Sequence, residues 1–484
     1  MPFFIASTKS FFLLPFLSLG FLLTQTAFNC LNLHSSLVEN LDSLGYKEMT
    51  PIQAQSLPFM LEGNDVIAQA KTGSGKTAAF GLSVLNKLEV KRFRIQSLVL
   101  CPTRELADQV AKEIRRLGRG IHNIKVLTLC GGMPFGPQIG SLEHGAHIIV
   151  GTPGRIEEHL RKGTLLLDDL TTFVLDEADR MLDMGFQPSL DAIIGYMPTQ
   201  RQTLLFSATF PDQIQSISER IMNNPKLIKV ASTHDKLSIE QHFYELDESV
   251  SRVTALELLL LSYRPSSAVV FCNTKRETQA VADELSNFGF SVLALHGDME
   301  QKMRDQTLVR FANKSASVLV ATDVAARGLD IDELEAVFNY QLSRETDVHT
   351  HRVGRTGRAG SKGRAFTLYS KKETYKLNSL EKQLGYAIEL STLPSMSLLS
   401  ESIYKPPMAT LQISAGKRQK IRPGDILGAL TGDGGLVGGQ VGKIHIFDNS
   451  AYVAVNRSEI GTALHKLEEG KLKGRSFRVR HIRG

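Results

Sequence analysis

Ala70-Lys71-Thr72-Gly73-Ser74-Gly75-Lys76-Thr77 follows the apolar run Asp65–Gln69 and precedes Thr77–Leu88, a stretch that reads as a helix. A strand that turns through glycines into a helix gathers backbone N–H groups and the positive end of a helix dipole at one point, which suits phosphate. Ala70, Thr72, Gly73, Ser74 and Gly75 make up that loop, and Gly73 and Gly75 allow it to curl. Lys76 has the reach for the β and γ phosphates of ATP, and the Thr77 hydroxyl suits Mg2+. Ala70 stands where such loops commonly carry glycine, a departure expected to matter little.

Outward from this loop, short apolar runs alternate with amphipathic stretches. Ser97–Thr103, His147–Thr152, Phe173–Asp176 and Thr203–Ser207 read as buried parallel strands. Between the first two lies Arg104–Arg119, with Ala107, Val110, Ala111, Ile114 and Leu117 at helical spacing. The rhythm then restarts with Ala268–Asn273, Ser291–Leu295, Ser317–Thr322, Ala336–Tyr340 and Arg364–Tyr369, with a helix over Asp305–Ala312. Such alternation implies parallel sheets covered on both faces. We expect an α/β chain with one such domain over 28–231 and a second over 232–391. A polar connection over 392–407 leads to a small α+β unit over 408–484, with strands at Ala409–Ile413, Lys443–Phe447, Ala451–Val455 and Ser476–Ile482.

The 484 residues carry a net charge of +6, unevenly spread. From Tyr404 to Gly484 there are 14 Lys plus Arg against 6 Asp plus Glu, a net of +8, so the remainder carries −2. That places a nucleic-acid contact in the tail. Cys30, Cys101, Cys130 and Cys272 show no close pairing, which excludes a disulfide framework or a zinc site as the organising device. Cys101 and Cys272 sit in apolar runs and read as small buried hydrophobes, consistent with a reducing cytoplasmic compartment. Phe11–Leu23 resembles the core of an export signal, but its 13 residues are short for a membrane span. We expect residues 1–27 to be a non-structural extension, with the native start near Leu22–Thr26, and no membrane association.

Asp176-Glu177-Ala178-Asp179 ends the apolar strand Thr172–Leu175. A carboxylate at the carboxyl end of a parallel strand faces the ligand crevice. Asp176 is placed to hold Mg2+, partly through water, and Glu177 to orient and deprotonate an attacking water. With Lys76, these residues make the chain resemble the DEAD-box helicases of superfamily 2 over about Phe28 to Ser370. The resemblance implies two tandem RecA-like domains. It also implies that Gln53, in Thr50-Pro51-Ile52-Gln53, reads the adenine edge and that Phe28 packs on its face. Ser207-Ala208-Thr209 matches the coupling motif whose hydroxyls bond Asp179.

In the second domain, His351-Arg352-Val353-Gly354-Arg355-Thr356-Gly357-Arg358 resembles the family's arginine-finger motif. It assigns Arg355 and Arg358 to the γ-phosphate and His351 to coupling; Arg suits the task through its planar fork. Asp330 approaches the ribose by the same resemblance. RNA contacts fall to Arg104, Gly132, Thr152 and Arg155 in the first domain and to Thr274, Arg304 and Thr322 in the second.

The tail looks like the RNA-binding domain of the DbpA subfamily, notably over Ile421–Gly432, which implies an RRM-like fold. Of the aromatics on which an RRM stacks bases, Ser450–Val455 keeps only Tyr452, so Lys471, Lys473, Arg478 and Arg480 are the expected RNA contacts. The subfamily's substrate implies a structured hairpin of large-subunit ribosomal RNA, action on pre-ribosomal particles, and a monomer. A general helicase with a non-selective basic tail, or an ATP-dependent RNA clamp or scaffold, would use the same sites.

Overall fold

A computed structural model describes residues 26–70, 73–230, 239–326, 334–343, 345–357 and 363–482. Thr72, Asp330, Arg358 and the apolar N-terminal stretch lie outside the described residues. The chain divides into two compact units between Thr233 and His234.

The first unit is built on a seven-stranded sheet. Its strands are β1 (Val66–Gln69), β2 (Ser97–Leu100), β3 (Val126–Leu129), β4 (Ile148–Gly151), β5 (Thr172–Asp176), β6 (Gln202–Ser207) and β7 (Lys226–Lys229). They pair in parallel in the order β3-β4-β2-β5-β6-β1-β7. Alternation assigns neighbouring residues to opposite faces. Val66, Ala68, Val99 and Val174 pack into one core, while Ile67, Leu98, Phe173 and Leu175 pack into the other. Both faces are dry, which is why these strands read as unbroken apolar runs. The helix Arg104–Leu117 covers one face with Ala107, Val110, Ala111 and Ile114, all buried. β3 was not anticipated, because its Leu127 and Thr128 are only half-buried at the sheet's edge.

The second unit repeats the plan with β8 (Ile239–Leu246), β9 (Ala268–Cys272), β10 (Val292–Leu295), β11 (Val318–Thr322), β12 (Ala336–Asn339) and β13 (Gly363–Ser370). These six strands are parallel, in the order β10-β11-β9-β12-β13-β8. β8, Ile239–Leu246, was not anticipated as a strand. It is an edge strand, so polar residues such as Gln241 and His242 are tolerated on it.

The same unit holds a four-stranded antiparallel sheet of β14 (Met408–Ile413), β15 (Val441–Ile446), β16 (Ala451–Asn456) and β17 (Val479–His481), ordered β15-β16-β14-β17. With helices Pro423–Thr431 and Ile460–Glu469 it forms the strand–helix–strand–strand–helix–strand plan of a split βαβ fold. Leu411, Ile413, Val453, Val455 and Val479 pack on Ile426, Leu430, Ala463 and Leu467. The opposite face is buried too. Thr410, Gln412, Tyr452 and Ala454 are all below 9% exposed. The Thr410 hydroxyl bonds the Asn313 amide at 3.1 Å and the Ser315 hydroxyl at 2.8 Å, just beyond the helix Gln301–Ala312. The face on which an RRM stacks bases is therefore set against the second parallel-sheet module, and Tyr452 lies inside that contact. The last strand is shorter than expected: it starts at Val479 rather than Ser476, after a tight turn over residues 472–475.

Among the described residues no helix is long and apolar enough to cross a membrane. Cys101, Cys130 and Cys272 are buried free thiols. Gly151 closes β4 directly beneath Thr152, and a Cβ there would lie 2.5 Å from the Leu129 carbonyl oxygen and 2.6 Å from Ile156. Gly151→Ala is expected to destabilise the first unit by about 1–3 kcal/mol through overpacking, measured as a lower thermal unfolding temperature of the full chain. An unchanged temperature would contradict this packing.

Candidate active site

The loops after β1, β5 and β6 leave the same edge of the first sheet. β6 lies between the other two, so their ends are brought close. The loop after β1 is tied to its neighbours by the Ala70 N–H, which donates to the Ser207 carbonyl at 3.1 Å. Gly75 has a φ of 92° and starts the helix Lys76–Asn86. A Cβ at Gly75 would lie 2.5 Å from the Gln53 amide nitrogen, so glycine is required on both conformational and steric grounds. Gln53 is itself buried. Its oxygen accepts from the Thr50 N–H at 2.9 Å and its nitrogen donates to the Gly75 carbonyl at 3.1 Å. One amide thus closes a helix start and steadies the glycine loop. Phe28 is buried in the first core with its ring edge-on to Tyr46.

Lys76 is buried, and its Nζ donates to the Ala70 carbonyl at 2.6 Å. Gly73 is exposed, while Ser74 and Thr77 are half-buried. The Ser74 hydroxyl oxygen makes no hydrogen bond in its buried position. Asp176 closes β5 fully inside the protein. Burial pushes its carboxyl up to about 7; Lys76 opposes this and Glu177 adds to it. Two adjoining acids of hard oxygen character, with a threonine hydroxyl and a lysine on the neighbouring loop, are residue types that fit a hydrated dication and a phosphate chain.

Glu177 takes the left-handed conformation, φ 54° and ψ 51°, which costs a non-glycine residue energy and turns its side chain sharply out of the strand direction. Its Oε2 lies 3.2 Å from Nη1 of Arg180, and both side chains are below 10% exposed. Sequence reasoning missed Arg180. Its only signal was a cation one helical turn beyond an acid.

Asp179 joins the ends of β5 and β6. Its Oδ2 accepts from the Ala208 N–H at 3.2 Å, the Thr209 N–H at 2.9 Å and the Thr209 hydroxyl at 2.8 Å. Burial drives this carboxyl upward, but the Thr209 bonds and the Arg180 and Lys76 charges outweigh it and hold Asp179 below the usual carboxylate range. The Ser207 hydroxyl does not share in the bond. It is buried with no hydrogen-bond partner.

The residues expected to contact RNA on the first unit also gather. Gly132 has a φ of 72°, and a Cβ there would fall 1.9 Å from the Arg104 guanidinium. The Thr152 hydroxyl accepts from the Gly131 N–H at 3.3 Å, and Arg155 donates to the Met133 carbonyl at 2.9 Å. Phe135, which the sequence did not flag, lies under Arg155 and Lys162 and stacks on His159 at 4.2 Å. Burial, then Arg155, pushes His159 down to about 4, so it is a neutral structural member of this cluster.

On the second unit, Thr274 and Thr322 use their hydroxyls to accept from the Glu277 and Ala325 N–H groups at starts of helices, and Arg304 donates to the His296 carbonyl. Arg355 is buried and His351 half-buried. The organiser is Arg352, which the sequence passed over. It is 1% exposed and grips both Asp323 oxygens, at 2.6 and 2.7 Å, and the Asn273 oxygen at 2.8 Å. Asp323 and Asn273 directly adjoin Thr322 and Thr274, so one guanidinium links both threonines to the helix Thr346–Val353 that leads to Arg355. In the tail, Lys471, Lys473, Arg478 and Arg480 are all exposed, and Arg480 also donates to the Gln412 side chain at 2.7 Å.

Residues 50–217 match the DEAD/DEAH box helicase family, residues 251–360 the helicase conserved C-terminal domain, and residues 410–481 the DbpA RNA binding domain. The chain is 53% identical over 460 residues to the ATP-dependent RNA helicase DbpA of Escherichia coli, covering 95% of this chain and all of that one. It is 36% identical over 461 residues to DbpA of Bacillus subtilis, covering 91% and 96%. Among solved structures, S. cerevisiae Dbp5 bound to RNA and ADP BeF3 superposes with a TM-score of 0.69 at 29% identity, over 76% of this chain and 96% of that one. Mss116p bound to ssRNA and AMP-PNP gives 0.68 at 27%, over 76% and 81%. With a phosphate loop, paired acids and a basic tail already in place, these likenesses show that the chain belongs to the DEAD-box ATP-dependent RNA helicases of the DbpA subfamily.

Proposed function

We propose that this helicase couples ATP hydrolysis at Lys76, Asp176 and Glu177 to local separation of RNA duplexes in large-subunit ribosomal RNA during ribosome assembly in the cytoplasm. The observation that carries the catalytic half is the Asp179–Thr209 bond, which joins the strand bearing the acids to the next strand end. Lys76 neutralises the β and γ phosphates, and Glu177 orients the attacking water and takes its proton. Arg355 and Arg358 supply the guanidinium charge that stabilises the transferring phosphoryl group, a contribution of about 10³–10⁵ in rate. Gln53 and Phe28 hold the adenine, and Asp330 the ribose. The Thr77 hydroxyl and the Asp176 carboxylate would hold Mg2+, which when bound supplies charge neutralisation along the phosphates.

RNA is gripped through the Arg104, Gly132, Thr152 and Arg155 cluster and through Thr274, Arg304 and Thr322. These are backbone contacts and carry no sequence information. The tail supplies the preference for ribosomal RNA. Its excess of positive charge and the family match over residues 410–481 support that reading.

Arg180 holds the carboxylate of Glu177 where a catalytic base must be aimed within a fraction of an ångström. Arg180→Lys keeps the charge but loses the fork. It is expected to lower kcat roughly 10–100-fold with the KM for ATP little changed, measured by steady-state RNA-stimulated hydrolysis. A raised KM with unchanged kcat would contradict the positioning role. The full chain is also expected to be half-activated by fragments of large-subunit ribosomal RNA at concentrations about tenfold lower than by random RNA of equal length. Equal activation would leave a general helicase.

A further inference from the structure

We infer that two basic turns at one end of the tail sheet, residues 417–422 and 471–475, form a preorganised clamp for the phosphate backbone of a folded RNA. The inference rests on the reading that the tail takes structured RNA, and it names the surface that does so.

The first turn begins where β14 ends. A Cβ at Gly416 would fall 2.1 Å from the Phe447 carbonyl oxygen, so the chain packs directly on the turn between β15 and β16. The Lys417 and Arg418 N–H groups donate to the Phe447 and Asp448 carbonyls at 2.9 and 3.0 Å. The Gly416 N–H donates to the Gln419 side chain at 2.9 Å, and Lys420 is held at a φ of 59°. With its backbone fixed in this way, the turn exposes Lys417, Arg418, Lys420 and Arg422.

In the second turn Leu472 and Arg475 exchange backbone hydrogen bonds of 2.8 and 3.1 Å around Lys473 and Gly474, whose φ values are 54° and 76°. Two consecutive positive φ values mark the tight turn of type I′. Leu472 is buried and anchors it, while Lys471, Lys473 and Arg475 face solvent.

Lys473 binds the two turns together. Its Nζ donates to the Lys420 carbonyl at 2.6 Å and lies 3.3 Å from Asp425. Asp425 also accepts from the Arg422 N–H at 2.7 Å, so this acid is spent on structure. Asp448 is exposed beside the first turn, and Glu468 and Glu469 are exposed where the helix Ile460–Glu469 ends just before the second, so seven cations at these turns meet four carboxylates. The cations therefore stand in excess on a rigid backbone, and little ordering entropy opposes their use. The ligand chemistry follows from what the described residues of this surface do not offer. Single strands are held by stacking bases on aromatic faces. Phe447 meets Tyr452 edge-on, Phe477 packs on the tail core, and the sheet face is covered. What is offered is charge at fixed spacing, which recognises the phosphates of an A-form helix by shape.

The test uses the full chain and two probes, a fully paired RNA hairpin and an oligouridine of equal length. The variants are Lys417→Ala/Arg418→Ala/Lys420→Ala and Lys471→Ala/Arg475→Ala, with Lys443→Ala, exposed on β15, as the control. Each clamp variant is expected to weaken hairpin binding about tenfold or more at low salt and to flatten the dependence of log Kd on log salt by about 0.9 for each phosphate-binding cation removed. The loss should be greater for the hairpin than for oligouridine, while Lys443→Ala keeps wild-type affinity. Wild-type hairpin affinity and salt slope in the clamp variants would overturn the assignment. So would an equal loss for both probes, or the same loss in Lys443→Ala. A wild-type chain that binds a ribosomal hairpin no better than an unrelated one, while the clamp variants still lose affinity, would remove the ribosomal selectivity and support the clamp.

Discussion

The Asp179 carboxylate, held by two backbone N–H groups and the Thr209 hydroxyl, is the bond on which the catalytic edge of the first unit depends. It fixes the start of the short helix Ala178–Asp183. That helix in turn carries Arg180, and Arg180 meets Glu177, whose left-handed backbone is sustained by the packing around it. A buried carboxylate is stable as an anion only when its hydrogen bonds and neighbouring charges outweigh desolvation, and Asp179 meets that condition. Asp176 does not, and burial leaves it near neutral pH. The two acids differ because one is already satisfied by the protein.

Parallel sheets explain why the motifs converge at all. Every loop that follows a strand leaves by the same edge, so segments far apart in sequence meet there without a long connection. In the first unit, Ala70 and residues 73–77, 176–179 and 207–209 converge in this way. In the second, Arg352 does similar work with a single side chain, drawing the ends of β9 and β11 onto the helix that leads to Arg355. A buried arginine needs carboxylate and carbonyl partners on several sides, and Asp323, Asn273 and Gln341 provide them.

The strands were legible because dry faces on both sides demand apolar residues at every position, as in Leu98–Leu100 and Ile148–Val150. Edge strands were not. Lys226–Lys229 and Ile239–Leu246 carry polar residues wherever one side meets solvent, and they blend into the connections around them. The glycine loop, the paired acids and the coupling threonine were legible because phosphate chemistry restricts residue type and spacing together. Arg180, Arg352 and Phe135 were not, since a buried arginine or a stacked phenylalanine looks ordinary until its partners are known. The tail shows the same limit. Its charge could be counted, but that the sheet face around Tyr452 is covered follows only from the bonds of Thr410 to Asn313 and Ser315.

The central claim is that RNA controls the chemistry at Lys76, Asp176 and Glu177. The most direct measurement is steady-state ATP turnover by the unmodified chain, with and without saturating RNA. The account predicts slow turnover alone and a rise of roughly tenfold or more with RNA, as expected if RNA binding completes the proposed set of catalytic groups. Equal turnover in the two conditions would contradict it.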